Sequence, residues 1–331
     1  MFVGDKMKKI GIMIGIILFI TIGIPFFIIM VFSGIKNDIK KDKDRPYEIS
    51  VYIKDEDRVV NMEMEQYIKE VTAAEMPAEF HGEALKAQAV AARTYLVNKI
   101  KNYNKKESEK SVHKGAVVCT DYSHCKAWIS EDKRKELWEE DKRKTYWKKI
   151  SDAVEDTKNI IMTYDNEPIR AVFHSTSSGW TENAKDVWGG DMPYLVSVES
   201  MGDKNSPKYN SKKDISVEEF KKIAQENIEN VNWDNGLIGE IKRSDAGGII
   251  SIEIGGVLVK GTKFRTIFDL RSTNAEIKID DEMVYMTVKG YGHGVGMSQY
   301  GACYMAENGN GYEEILKTYY KGIELSEFNR E

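Results

Sequence analysis

The chain has 331 residues, a charged fraction of 31% and a formal net charge of −5, so its acidic and basic side chains nearly cancel. That balance excludes the broad positive field a nucleic-acid partner requires, and a hydrophobic content of 41% excludes a disordered chain. Three cysteines, Cys119, Cys125 and Cys303, are too few and too unevenly spaced for a disulfide framework.

Residues 1–9 form a short tail with Lys6, Lys8 and Lys9, and an uncharged apolar run follows over residues 10–35. At about 1.5 Å per helical residue this run exceeds the roughly 30 Å hydrocarbon core of a bilayer. It predicts one membrane-spanning anchor, because no small-residue cleavage site follows it. Lys36, Lys40, Lys41, Lys43 and Arg45 outnumber Lys6, Lys8 and Lys9, so the charge rule taken alone slightly opposes an external C-terminal region and the orientation must come from elsewhere. Residues 36–46 alternate Lys and Asp and read as a hydrated stalk, with the folded region spanning 47–331.

Within that region Tyr47–Ile53 alternates as a strand does. Met64, Tyr67, Ile68, Val71 and Glu75 then recur at helical spacing up to Pro77. An alanine-rich helix is expected over Glu83–Ile100, making a helical hairpin. Glu131–Glu155 carries Trp138, Tyr146, Trp147, Ile150 and Val154 at helical spacing and reads as one solvated amphipathic helix without chemistry. IIMTY, DNEP and IRAVFHS predict a strand, a turn and a strand ending at His174. Ser216 with Glu219 signals a helix start, and paired glycines at 247–248 and 255–256 punctuate a β-rich stretch up to Lys260. A helix from Thr262 and strands around Ile277 and Val284–Val288 follow. The order of elements predicts an α+β fold: an N-terminal transmembrane helix, then a mixed helical and antiparallel-β catalytic region with a substrate groove.

Glu75 continues the apolar stripe into the last turn of its helix. The negative helix terminus and partial desolvation there both favour the protonated carboxyl that a general acid needs. A solvent-facing or lysine-paired glutamate is the competing reading. Arg93, on the next helix, is placed to orient a carboxylate or a sugar, or is a surface arginine. His113, Cys119, His124 and Cys125 offer ligands for zinc. Cys119 and Cys125 with His113 fill three positions, and His113 is preferred to His124, whose adjacency to Cys125 argues against both binding one ion. A Cys119–Cys125 disulfide is the alternative. No organic cofactor motif is present, since the glycine-rich stretch 290–301 lacks the ending of a phosphate loop. Cys303 reads as a small buried residue.

Three segments carry a family resemblance: VTAAEMPAEFHGEALKAQAVAARTYLV at 71–97, HSTSSGWTENAKDVWGG at 174–190 and KGYGHGVGMSQYGACYMA at 289–306. Together they resemble the stage II sporulation protein D family. The resemblance implies a lytic transglycosylase that cleaves peptidoglycan glycan strands between N-acetylmuramic acid and N-acetylglucosamine during forespore engulfment. It also implies a single-pass membrane protein with its catalytic region outside the cytoplasm, working beside stage II sporulation proteins P and M. Carried over by position, Glu75 is the catalytic acid/base and Arg93 lies in the groove. Of the other two segments, His174, Ser175, Ser177, Ser178, His293, Ser298 and Gln299 are the expected sugar contacts. Two other functions remain open: a glycan-binding activator of a partner amidase, which the family's amidase-enhancer members imply, and a zinc hydrolase using the cysteine–histidine cluster.

Overall fold

The computed structural model describes residues 47–103 and 112–328, together with scattered positions between 19 and 30. The expected anchor at 10–35 lies largely outside these residues; a helical turn at Phe19–Gly23 exposes Phe19 and Ile22. Among the described residues no helix is long and apolar enough to cross a membrane.

The folded region is mixed α+β. It opens with strand β1 (Glu48–Ile53), whose alternate residues Ile49, Val51 and Ile53 are buried and which pairs antiparallel with β2 (Arg58–Glu63). Helix α1 (Met64–Glu75) follows directly and buries Met64, Tyr67, Ile68 and Val71, the stripe expected from spacing. It stops at Met76, whose extended backbone precedes Pro77. Helix α2 (Gly82–Asn102) is longer than its alanines alone required. The His81 side chain caps it by accepting the Glu83 N–H at 3.3 Å. Its buried alanines leave room for neighbouring helices to approach closely.

The two-residue strand β3 (Val118–Cys119) adds parallel to β1. The helix expected over 131–155 is instead two, α3 (Glu131–Glu136) and α4 (Glu140–Asp156). The break lets Trp138 turn into the core edge-on against Tyr146, at 5.5 Å between centroids, while the Arg143 guanidinium bonds the Trp138 carbonyl at 3.1 Å. Strand β4 (Ile160–Tyr164) follows. The expected return strand is also divided: β5 (Glu167–Pro168) pairs with β4, whereas β6 (Phe173–His174) leaves that sheet. It joins β13 (Met297–Ser298) in a parallel pair that sets His174 beside Ser298. A short helix α5 (Ala184–Trp188) lies between them in sequence.

Residues from β7 (Asn210–Ser216) to β12 (Met283–Lys289) build a second hydrophobic core around Phe220, Ile252, Phe264, Phe268 and Met286. Helix α6 (Val217–Asn227) starts where expected, with the Ser216 hydroxyl accepting the Glu219 N–H at 3.1 Å. Strands β8 (Ile238–Arg243), β9 (Ile249–Ile254) and β10 (Val257–Lys260) form one antiparallel sheet. Helix α7 (Gly261–Ile267) then leads to β11 (Ala275–Ile279), which joins β12 and β7 in the other sheet. The chain returns to the first core through α8 (Gln299–Glu307), α9 (Tyr312–Tyr319) and β14 (Glu324–Glu327), the last pairing with β4. Residues distant in sequence, Leu85, Val90, Ile150, Met162, Met297 and Tyr319, meet in that core.

Candidate active site

A cleft of about 590 Å³ opens where the end of α1, the loop after β3, β6 and the glycine-rich loop before β13 converge. Glu75, Ser175, His174, His293 and Gln299 all line it, so five of the expected site residues come together from three distant segments. Gly292 is required here: its φ is +120°, and a Cβ on it would lie 2.6 Å from the His174 Cβ. The loop therefore passes over the histidine only because that side chain is missing.

Glu75 is partly buried, and desolvation raises its carboxyl above the ordinary carboxylate range against two opposing influences, the Lys126 charge and the Ala127 N–H. That N–H reaches Oε1 at 2.9 Å. Gln299 donates through Nε2 to the Glu75 backbone carbonyl at 3.0 Å, satisfying one of the last-turn carbonyls that lack an intrahelical partner. The same helix uses Glu70 to hold the neighbouring segment, accepting from the Trp128 indole at 2.7 Å and the Glu131 N–H at 3.1 Å. Helix α1 thus ties the 127–131 segment down at two of its carboxylates, and one of the two faces the cleft.

Both cleft histidines are bonded to the Val295 backbone. The His174 Nδ1–H donates to the Val295 carbonyl at 3.2 Å, and burial pushes the ring down to about 4. His293 Nδ1 accepts the Val295 N–H at 3.1 Å, and burial holds it well below the usual histidine range. Burial thus favours the neutral imidazole at both positions. Lys126, Arg134, Lys208 and Arg265 also line the cleft, together with Tyr122, Tyr291 and Tyr300. Among the described lining residues Glu75 is the only carboxyl. Trp188, 39% exposed, packs on His293 at 5.1 Å and offers an aromatic face of the kind sugars lie against.

Arg93 is not in the cleft. It is 0% exposed and holds Glu65 through Nε at 2.9 Å and Nη2 at 2.6 Å, with further bonds to the Val154 and Ile160 carbonyls. Its role is to join α1, α2, α4 and β4 beneath the site. Replacing it with Met strands a buried carboxylate, so Arg93→Met is expected to destabilise the fold by roughly 3–5 kcal/mol, read by urea unfolding. A variant as stable as the parent would show that the pair is dispensable.

Ser177 and Ser298 are likewise structural. The Ser177 hydroxyl donates to Asp203 Oδ2 at 2.9 Å and the Ser298 hydroxyl to Oδ1 at 2.5 Å, so both serve a buried carboxylate instead of the cleft. Ser298 also caps α8. Ser178 faces the Ala246 carbonyl at 3.4 Å, outside the cleft. Asp203, which gathers these serines and Ser200, had no signal in the sequence beyond being an acidic residue in a loop.

The cysteine–histidine cluster is tighter than spacing implied. Ligand atoms of His113, Cys119, His124 and Cys125 all lie within 4.8 Å of one another. His124 belongs to the cluster despite its adjacency to Cys125. Its Nδ1 sits 3.6 Å from the Cys119 sulfur and 3.7 Å from the Cys125 sulfur, because the turn at Asp121–Cys125 folds the two adjacent side chains to one side. His113 Nε2 is 3.4 Å from the Cys125 sulfur. Tetrahedral zinc bonds of about 2.0–2.3 Å place ligand atoms roughly 3.3–3.8 Å apart, which these three sulfur–nitrogen distances meet within an overall spread of 4.8 Å. The His113–His124 separation of 2.9 Å is somewhat tighter. Both cysteines are free thiols, and a hydrogen bond from Cys119 pushes Cys125 down to about 4, towards a thiolate. The Tyr67 hydroxyl, close enough to feel both sulfurs, is buried and has no partner among the described residues, as suits a donor to a metal-bound thiolate. The donor set fits a metal. Cys303 is buried and free, as expected.

The site therefore defines a protein with one desolvated carboxyl in a cationic, aromatic-lined cleft, next to a cluster of two cysteines and two histidines that could hold a metal. Residues 52–164, which carry both elements, match the family model described as stage II sporulation protein. The chain is 40% identical over 286 residues to stage II sporulation protein D of Bacillus amyloliquefaciens, covering 86% of this chain and 80% of that protein. It is 38% identical over 286 residues to stage II sporulation protein D of Bacillus subtilis strain 168, with the same coverage of 86% and 80%. The chain belongs to the stage II sporulation protein D family. A more distant relative, the amidase enhancer of B. subtilis strain 168, is 28% identical over 315 residues, which are 79% of this chain and 40% of that protein.

Proposed function

We propose that this protein is a lytic transglycosylase that cleaves peptidoglycan glycan strands between N-acetylmuramic acid and N-acetylglucosamine and leaves 1,6-anhydro ends. The observation that supports it best is Glu75, a single desolvated carboxyl in a sugar-sized cleft. Hydrolytic glycosidases pair two carboxyl groups around the bond they break; here one serves twice. The Glu75 carboxyl gives its proton to the glycosidic oxygen as the bond from C1 to that oxygen breaks. The resulting carboxylate takes the proton of the 6-hydroxyl as O6 bonds to C1. Glu75 ends protonated and no water is consumed. Burial favours the acid form, whereas the Ala127 N–H and the Lys126 charge favour the carboxylate, so both forms are accessible in one cycle.

His113, Cys119, His124 and Cys125 would hold zinc in a closed four-ligand shell, which supplies rigidity and no open position for an activated water. The zinc-hydrolase reading has no support from such a shell. Lys126 and Ala127 follow Cys125 directly, so ordering that loop orders the groups facing Glu75.

In the same reading the chain acts in forespore engulfment during sporulation. It is held by a membrane anchor at 10–35, with its catalytic region outside the cytoplasm, beside stage II sporulation proteins P and M. Family membership and the apolar run support this. The test is mass spectrometry of peptide-free glycan strands incubated with the full chain in detergent, against Glu75→Gln. Anhydro-ended fragments from the parent alone are expected. A second reading, a glycan-binding activator of an amidase, draws on the relative named amidase enhancer. It takes over if neither protein cuts while both bind strands.

A further inference from the structure

Lys126 is a largely buried cation that feels the Glu75 and Cys125 charges but makes no direct ion pair with either. It is 9% exposed. Its ammonium lies 3.7 Å from the centroid of the Phe173 ring and 4.8 Å from that of Tyr95. Among the described residues nothing accepts a hydrogen bond from it or pairs with it. The rings offer π-faces but no lone pairs for three N–H donors, and burying most of an ammonium still costs desolvation. A methionine would fill the space between the two rings without that penalty, so packing alone does not explain a lysine. The side chain is part of the cleft wall that also holds Glu75. Of the other cations there, Arg265 donates to the Leu270 carbonyl at 3.2 Å, Lys208 lies over the Tyr291 ring at 5.1 Å, and Arg134 lies over the Trp138 ring at 5.0 Å with its Nε buried and without a partner among the described residues.

We infer that Lys126 is a substrate-positioning residue, whose free N–H groups take a carboxylate or carbonyl oxygen of the sugar bound next to Glu75. This rests on the glycan reading above. On N-acetylmuramic acid two groups supply that chemistry, the lactyl carboxylate and the acetamido carbonyl; N-acetylglucosamine has only the second.

The test measures binding, which does not require cleavage. In the Glu75→Gln full chain, a further Lys126→Met change is expected to weaken the affinity for peptide-free glycan strands at least tenfold. Lys126→Arg, which keeps charge and donors, is expected to stay within about threefold. Thermal melting of both variants should remain close to that of the parent, since Met preserves the packing. Chitin oligomers, built of N-acetylglucosamine alone, separate the two sources. A Met penalty that persists on chitin identifies the acetamido carbonyl, and one confined to the muramic-containing strands identifies the lactyl carboxylate. A folded Lys126→Met variant that binds strands as its parent does overturns the inference, whether or not the wild type cuts. A wild type that cuts nothing, with affinity still lost on Lys126→Met, leaves the inference standing and removes the transglycosylase. If Glu75→Gln binds no strands at all, both readings fall.

Discussion

Glu75→Gln is expected to lower strand cleavage by roughly 10²–10⁴-fold, the usual contribution of one positioned acid/base, with strand affinity changed little. Glutamine has the same shape, and its carbonyl oxygen still accepts the Ala127 N–H that the carboxylate holds at 2.9 Å. It can neither give a proton to the leaving oxygen nor take one from the 6-hydroxyl. The pH dependence follows from the same group. Burial raises the Glu75 carboxyl, so the wild-type kcat/KM is expected to fall as pH rises through this raised value, because the acid is then lost.

Stability carries the opposite signature for the variant. The folded state holds the Glu75 proton more tightly than the unfolded chain. Its stabilising contribution is therefore complete below the unfolded carboxyl value and is lost as pH rises through the folded one. Glu75→Gln should gain stability over wild type across that window and match it below, as read by urea unfolding at several pH values. A variant that still cuts at the parental rate, or a wild-type profile flat across the carboxylate range, would remove Glu75 from the mechanism.

Removal of the proposed zinc is expected to have the second large effect. With free ion at a thousandfold excess over Kd, binding stabilises the fold by about 4 kcal/mol, which for a domain of this size is about 8–16 °C in Tm. A strong chelator, or Cys119→Ser combined with Cys125→Ser, is expected to lower the melting temperature by that order and to abolish bound zinc in elemental analysis. Cleavage should fall with it, because the loop that carries Cys125 also carries Lys126 and the Ala127 N–H. Activity that returns with zinc, and also with cobalt of similar tetrahedral preference, fits a structural ion. No change in melting, with no metal found, would mean that the four side chains meet without a ligand.

The local half of this protein was legible in its residues. Met64, Tyr67, Ile68 and Val71 at helical spacing place one helix, the alanines of 84–92 the next, and Ser216 with Glu219 a third start, because each is set by neighbours within a turn. The position of Glu75 on an apolar stripe at a helix end already implied a carboxyl reluctant to ionise. What periodicity could not reach was where polar side chains point once helices pack. Arg93 reads as a groove residue from its place beside the site, yet it is buried against Glu65, since that pairing depends on how α1 lies across α2. Ser177 and Ser298 serve Asp203 for the same reason. His124 looked excluded by its adjacency to Cys125, and only the turn geometry brings both to one centre. Residues 210–289, β-rich in sequence, gave no sign of closing a second core of their own.

The sequence by itself determined the family, the helices of 64–102 and which carboxyl and which cysteines and histidines to look at, because those depend on residue identity and short spacing. Only the tertiary structure decided that Lys126, Arg134, Lys208 and Arg265 surround a lone carboxyl, because a cleft is made by segments far apart in the chain whose convergence no local pattern records.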